Sequence, residues 1–366
     1  MTVGLYVNVG HHIIITDCLQ TSMSGGKQIY SPSNIENFDG SNGELAELVS
    51  KFFYPDDQTI ITFAGKSDHI GIFVNNFPTV WAERDKDLRP MEFLQITDYN
   101  LRGTRNSWNC AVLGTSIMPT TDTEKRALAN NYASEGKNWS FSTRHFGKCF
   151  AIGSGAGAFR RLIENADQKI ADVGGNVQEL LGQLLGALNG RVLFFQHFDK
   201  GSDTWGGLLQ AQIYSNETRR WMRTPNWFHC CLMFKGQNLD YVGSHPKVVF
   251  HTSKPGTENT SGVVTWVKTE KSGDMICFWP IYSPFSQDRE NNSILQNEML
   301  ALPDQITVSV LIDIDGKQST HHYTNTAKIF KEISFEQYGE HFAYSIDAAS
   351  LSASIRERML AGKKFW

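Results

Sequence analysis

The chain has no apolar run approaching the roughly 20 residues a membrane-crossing helix needs. It also has no block of like charge, no CxxC pair, no internal repeat and no low-complexity tract. Each absence removes a class of function. Lys and Arg number 34 against 38 Asp and Glu, a formal net charge of -4, and the two signs are interspersed. A surface for nucleic acid or anionic lipid is therefore not expected. The six cysteines, Cys18, Cys110, Cys149, Cys230, Cys231 and Cys277, are scattered without metal-ligand spacing and are expected to be reduced, mostly buried thiols. The N-terminus lacks the basic and apolar regions of a secretory leader, so a soluble, cytoplasmic protein is expected. His11-His12 and His321-His322 are neighbours on strand-like runs, where adjacent side chains point to opposite faces, so neither pair chelates one metal. DIDGK at Asp313 to Lys317 lacks the remaining ligands of a calcium loop and is expected to be an Asp-Gly hairpin turn. Neither a metal nor a cofactor is expected.

What the chain does have is length: 366 residues, 40% of them hydrophobic, enough to bury a large core without staples. TVGLYVNVGHHIIITD alternates at Leu5, Val7 and Val9 and is β-branched at Ile13 to Ile15, which predicts a hairpin turning at Asn8 to Gly10. Residues 22–43 are dense in Ser, Gly and Asn and read as a surface excursion, with KQIY a possible short strand. ELAELVSKFFYPDDQTIITFAG supplies a second hairpin around Pro-Asp-Asp, and Ile70, Ile72, Phe73 and Phe77 are spaced for a helix. Residues 78–107 read as irregular. NCAVLGTSIM and NWSFSTRHF resume the strand pattern. KCFAIGSGAGAFRRLIENA then predicts a short buried strand, a Gly/Ser turn and a helix, and NVQELLGQLLGALNG a second helix. LLQAQIY and HCCLMF are strand-like, as are VVFHT, GVVTWVK, MICFWPIY and ITVSVLIDIDGKQ, before a terminal helix in DAASLSASIRERMLAGKKFW. Blocks of strands followed by blocks of helices predict an α+β fold with helices on antiparallel sheets.

Thr2 directly follows the initiator Met, and removal of Met1 would place a hydroxyl and a free α-amine on one residue, a nucleophile carrying its own base. The Thr2 start, the strand ending HHIIITD at Asp17, the Lys-led hairpin into TFAG, and AIGSG followed by two helices together resemble the N-terminal nucleophile (Ntn) hydrolases. More narrowly they resemble the proteasome β-subunit branch and its bacterial two-component relative, over residues 2–235. The resemblance implies a four-layer αββα sandwich, with residues 236–366 a β-rich C-terminal extension ending in a helix. It implies Thr2 as nucleophile toward a peptide or protein substrate, Asp17 holding a site lysine, and Gly65 as the oxyanion donor. Ser154 would lie near the α-amine, with a helix N-cap as its alternative role, and Asp203 in KGSDTWGG is an approximate match to a further site carboxylate, with Trp205 where the family has a Ser. For the lysine, Lys51 is favoured by its spacing to FAG, and Lys27 is the rival. Lys66 departs from the small residue many relatives carry after the glycine. A homo-oligomer, a ring in many relatives, and an ATPase unfoldase partner are implied in the same way. Two other classes stay open: a catalytically inactive structural subunit of the same fold, and a nucleotide-binding protein using the loose glycine fingerprint Gly153 to Gly157.

Overall fold

The structure is a computed structural model describing residues 3–8, 10–20, 28–30, 43–45, 47–85, 88–103, 108–118, 128–134, 139–169, 184–185, 188, 209–223, 227–242, 247–253, 261–269, 273–282, 305–326, 331–338 and 341–361. It is an α+β protein whose sheets are mostly antiparallel, with four helices among the described residues. The opening run forms the expected hairpin of β1 (Val3–Asn8) and β2 (His12–Asp17). Gly10 turns the chain at φ 87°, and Asn8 Oδ1 accepts its N–H at 3.0 Å. The hairpin is buried on both faces because it occupies the middle of a six-stranded sheet in the order β11-β12-β1-β2-β13-β14. Its other strands are β11 (Trp139–Thr143), β12 (Gly147–Gly153), β13 (Leu209–Ser215) and β14 (Arg220–Arg223), and every pairing is antiparallel.

A four-stranded sheet, β10-β9-β8-β7, is built from β7 (Phe52–Asp56), β8 (Thr59–Gly65), β9 (Cys110–Met118) and β10 (Leu128–Ala133). Three helices lie among these strands in the chain: α1 (Ser67–Ala82), α2 (Pro90–Gly103) and α3 (Ala156–Lys169). Strand alternation divides the apolar residues among three cores. Val3, Leu5, Val7, Ile13 and Ile15 pack with Phe159 and Ile163 of α3 and with Leu184, Leu185 and Leu188. Tyr6, Ile14 and Ile152, from the opposite face of the same sheet, pack with Phe52, Ile60, Ala64 and Leu113 of the four-stranded sheet. Ile61, Phe63 and Val112, on that sheet's far face, meet Phe73, Phe77 and Trp81 of α1 and Met91 and Leu94 of α2. Of the helix expected at NVQELLGQLLGALNG, only Leu184, Leu185 and Leu188 fall within the described residues, and these are helical and buried.

The irregular stretch expected at 78–107 is instead largely helical. α1 continues through Pro78 to Ala82 because Phe77 and Trp81, one turn apart, are both anchored in the core, and that burial outweighs the backbone hydrogen bond a proline cannot make. The apolar stripe of α2 is hidden in the sequence because one of its four buried positions is the carboxylate Asp98.

The remaining strands form a larger sheet in the order β21-β20-β15-β17-β18-β19-β6-β3, with β16 paired to β15. These are β3 (Leu19–Gln20), β6 (Glu47–Val49), β15 (Trp227–Lys235), β16 (Asp240–Tyr241), β17 (Lys247–Ser253), β18 (Ser261–Thr269), β19 (Gly273–Tyr282), β20 (Gln305–Ile314) and β21 (Lys317–Thr326). Pairing is parallel at β15–β20 and β6–β19. Two small ribbons, β4 (Gln28–Tyr30) with β5 (Gly43–Leu45) and β22 (Ile333–Tyr338) with β23 (His341–Ile346), and the helix α4 (Ala348–Leu360) complete the described elements. The boundary drawn at residue 235 falls at the end of β15, whose neighbours β17 and β20 lie beyond it. DIDGK is the expected hairpin turn, with Asp315 and Gly316 at φ 52° and 78° between β20 and β21.

Candidate functional site

Asp17 ends β2 with its side chain fully buried, and its Oδ1 takes two donors. One is the Val3 N–H at 2.9 Å, and the other is the Lys51 ammonium at 3.0 Å. Beside it the Thr16 hydroxyl donates to the Val3 carbonyl at 2.9 Å, so both backbone polar groups of Val3 are held. Lys51 immediately precedes β7 and is itself only 7% exposed. In an ion pair this deeply buried, each charge offsets part of the desolvation penalty of the other, and the Val3 N–H adds a charge-assisted hydrogen bond to the carboxylate.

Two glycines set the approach of the sheets. At Gly4 a Cβ would meet Thr62 Cγ2 at 2.9 Å and Ile152 Cγ1 at 3.0 Å, so only a glycine lets the head of β1 lie against β8. At Gly65, φ is 143° and a Cβ would run into the Asn109 carbonyl. The next N–H, that of Lys66, donates to Asn109 O at 2.8 Å. Because N–H groups alternate sides along an antiparallel strand, the Gly65 N–H is turned away from β9. It is thereby left out of that ladder.

Ser154 is exposed and follows Gly153, the register partner of Val3. It is not the cap of α3: the helix begins at Ala156, and the Gly155 carbonyl accepts the Phe159 N–H at 3.0 Å. Of the residues singled out in the sequence, the structure joins Asp17 to Lys51 directly and places Ser154 one residue past the partner of Val3. Gly65 ends the strand whose Thr62 touches Gly4. Thr2, Lys27 and Asp203 lie outside the described residues.

Thr16 and Thr62 were not singled out. Thr62 is fully buried, and among the described residues its hydroxyl has no hydrogen-bond partner. The only trace of this packing in the sequence is the lone Gly4 inside an otherwise bulky strand, which marks a close backbone approach.

Other polar clusters are structural. Asp98, fully buried on α2, accepts from Arg102 at 3.0 Å and from Tyr132 and Ser134, each at 2.8 Å, pinning α2 to β10. Burial, helped by Asp98, pushes the Tyr132 phenol well above its usual range. Three of the buried thiols make poor nucleophiles: burial pushes Cys149 up to about 12 and also raises Cys110 and Cys230 well above the usual thiol value, so these remain neutral. His12 of the first histidine pair lies 2.8 Å through Nδ1 from the Tyr6 hydroxyl. The glycine turn after β12 does not open a dinucleotide fold, because β12 has antiparallel neighbours on both sides where such a fold needs a parallel one.

No protein-family model matches the chain, and no curated protein sequence matches it.

Proposed function

We propose that the chain is a threonine hydrolase of the N-terminal nucleophile type, cleaving peptide or amide bonds through Thr2 after loss of Met1. The observation that carries this reading is the buried Asp17–Lys51 pair closed on the Val3 N–H, because Val3 is the residue to which Thr2 is bonded. The succession of helix core, inter-sheet core and helix core supports a four-layer αββα sandwich of the Ntn kind.

In this chemistry the Thr2 α-amine takes the hydroxyl proton as Oγ attacks the substrate carbonyl carbon. Lys51, an ammonium held by Asp17, favours the neutral form of that amine and steadies the alkoxide as it develops. The Gly65 N–H donates to the carbonyl oxygen as it gains charge. When the carbon–nitrogen bond breaks, the leaving amine receives the proton and an ester to Thr2 remains. Water, deprotonated by the same amine, hydrolyses the ester and restores the hydroxyl. Ser154 and Asp203 are assigned to orienting the α-amine. A homo-oligomer, an ATPase unfoldase that delivers protein substrates, and a cytoplasmic setting belong to the same proposal.

The test is intact mass of the purified protein before and after incubation with a peptide epoxyketone, which reacts with a hydroxyl and an α-amine on one residue. The expected result is loss of Met1 and one adduct, absent from Thr2→Ala. An adduct that persists in Thr2→Ala moves the nucleophile elsewhere. A processed chain that forms none identifies an inactive member of the same fold.

A further inference from the structure

We propose that the groove between the C-terminal helix α4 and the turn from β15 to β16 binds a small zwitterion with an aliphatic side chain, the chemistry of a free apolar amino acid or of a short apolar peptide with open ends. The groove shares no residue with the site at Asp17 and Lys51, and the inference does not depend on the hydrolase reading.

Both walls of this groove, which encloses about 480 Å³, are built into the fold. Phe234, Leu239 and Tyr241 form the strand wall. Phe234 is fully buried in β15 and meets the Tyr241 ring edge-on, with centroids 5.8 Å apart. Leu239 reaches the groove from a left-handed backbone at φ 54°, a conformation that is costly for a leucine. Its N–H donates to the Gly236 carbonyl at 3.1 Å, and the Gly236 N–H donates to the Asp313 carbonyl at 2.9 Å, so the turn is tied to the end of β20. On the helix side, the buried Leu351 and Ile355 seat α4, and Asp347 caps it by accepting the Ser350 N–H at 3.0 Å and the Ser350 hydroxyl at 2.6 Å. Ala349, Ala353 and Leu360 share the helix face that lines the groove. The two alanines leave it open, since a larger side chain at either position fills it.

One hydroxyl stands in each wall, that of Tyr241 on the strand side and that of Ser352 on the helix side. Both oxygens are buried, and among the described residues neither has a hydrogen-bond partner, so they do not bond to each other. Burial pushes the Tyr241 phenol up to about 12, which keeps it protonated and able to donate. An acceptor inserted between the walls serves both hydroxyls and relieves the cost of leaving them unpaired. Arg356, exposed on the same stretch of α4, has no ion-pair partner among the described residues and makes a carboxylate the fitting acceptor. Asp240 and Glu357 also line the groove, exposed and without an ion-pair partner among the described residues. Two negative charges beside one positive charge repel a simple anion such as a fatty acid. A molecule carrying an ammonium as well as a carboxylate pairs with both signs, and its side chain takes the apolar wall.

Isothermal titration calorimetry of the full-length chain with L-leucine, L-leucyl-L-leucine, N-acetyl-L-leucine and L-leucinamide tests the site. The expected result is saturable binding of a free zwitterion, roughly tenfold tighter than either blocked leucine, the size of one lost hydrogen bond to a charged group. Tighter binding of L-leucine identifies the free amino acid as the ligand, and tighter binding of the dipeptide identifies the peptide. Ala353→Trp, on the exposed face of α4, fills the groove and abolishes binding, with circular dichroism and urea titration reporting the fold. Arg356→Gln weakens the zwitterion and leaves L-leucinamide unchanged. Absence of saturable binding by both zwitterions overturns the proposal, as does equal affinity for free and blocked ligands. Binding that survives in a folded Ala353→Trp overturns it too. Should Ala353→Trp fail to fold, Arg356→Gln decides, and an unchanged affinity for the zwitterion in that variant overturns the assignment.

Discussion

A single carboxylate oxygen, Asp17 Oδ1, receives both the Val3 N–H and the Lys51 ammonium, and this concentration of donors makes the residue pair a structural tie between β1, β2 and the start of β7. With the Asp17 side chain fully buried and Lys51 nearly so, removing the cation alone strands a charge in a low-dielectric interior. Lys51→Met should therefore destabilise the fold by about 3–5 kcal/mol, read from denaturant titration. Combining Lys51→Met with Asp17→Asn removes the stranded charge and keeps an acceptor for the Val3 N–H, so most of that stability should return. Thr2 labelling should not return, because the ammonium is gone. If the double variant regains labelling, Lys51 is only a structural residue. Asp17 and Lys51 were legible in the sequence only through the resemblance to the Ntn hydrolases, which implies a strand-end carboxylate holding the lysine that leads the hairpin into FAG, with Lys27 the rival lysine. Thr62 was not legible, since its role depends on which residue of another sheet it meets.

Among the elements, the tight connection from β11 to β12 is held within itself by the Phe146 N–H donating to Thr143 Oγ1 at 3.1 Å, and from outside by α3. Asp167 of α3 accepts the Arg144 N–H at 3.0 Å and the His145 N–H at 2.6 Å. Burial works to raise the pKa of this carboxyl, but the His145 N–H, the Thr143 hydroxyl, the Arg144 N–H and the His145 ring together outweigh it and leave it below its usual value. A depressed carboxylate stabilises the fold above its unfolded-state pKa, and the contribution is lost as pH falls through the folded-state value. Asp167→Asn should thus unfold at lower urea concentration than the native chain at pH 7. The gap should narrow on acidification through the carboxylate range, and a gap constant from pH 7 to pH 3 would contradict the charge-based anchor. α3 itself was legible because Phe159, Leu162 and Ile163 share one face. β10 was not, because LANNYA carries two asparagines, and Asn131 is accommodated by accepting the Thr115 hydroxyl at 2.7 Å on the neighbouring strand. Polar residues satisfied across a sheet look like loop until the partner strand is known.

At the scale of the whole molecule, the largest sheet is threaded through the rest of the chain and reaches the site. β6 pairs through Leu48 and Val49 with Ile281 and Tyr282 of β19. The Val49 N–H donates to the Cys18 carbonyl at 2.8 Å, which ties the residue after Asp17 to the segment that delivers Lys51. β15 is in parallel register with β20 from Trp227↔Gln305 to Lys235↔Asp313, and is antiparallel to β17 on its other side. A chain ending at Lys235 would keep β15 and lose β16, β17 and β20, leaving its buried Phe228, Cys230, Leu232 and Phe234 without neighbours. It would also take β19 from β6, two residues before Lys51. An unpaired, apolar strand of this length is a template for aggregation. Truncation at 235 should therefore yield an insoluble chain, or one whose unfolding is no longer cooperative and whose Thr2 labelling is lost, as measured by soluble yield, urea titration and intact mass. A truncated chain that unfolds in one transition at the native midpoint and still labels would show that residues 1–235 fold alone, and that the register between β15 and β20 contributes nothing to the geometry of Asp17 and Lys51.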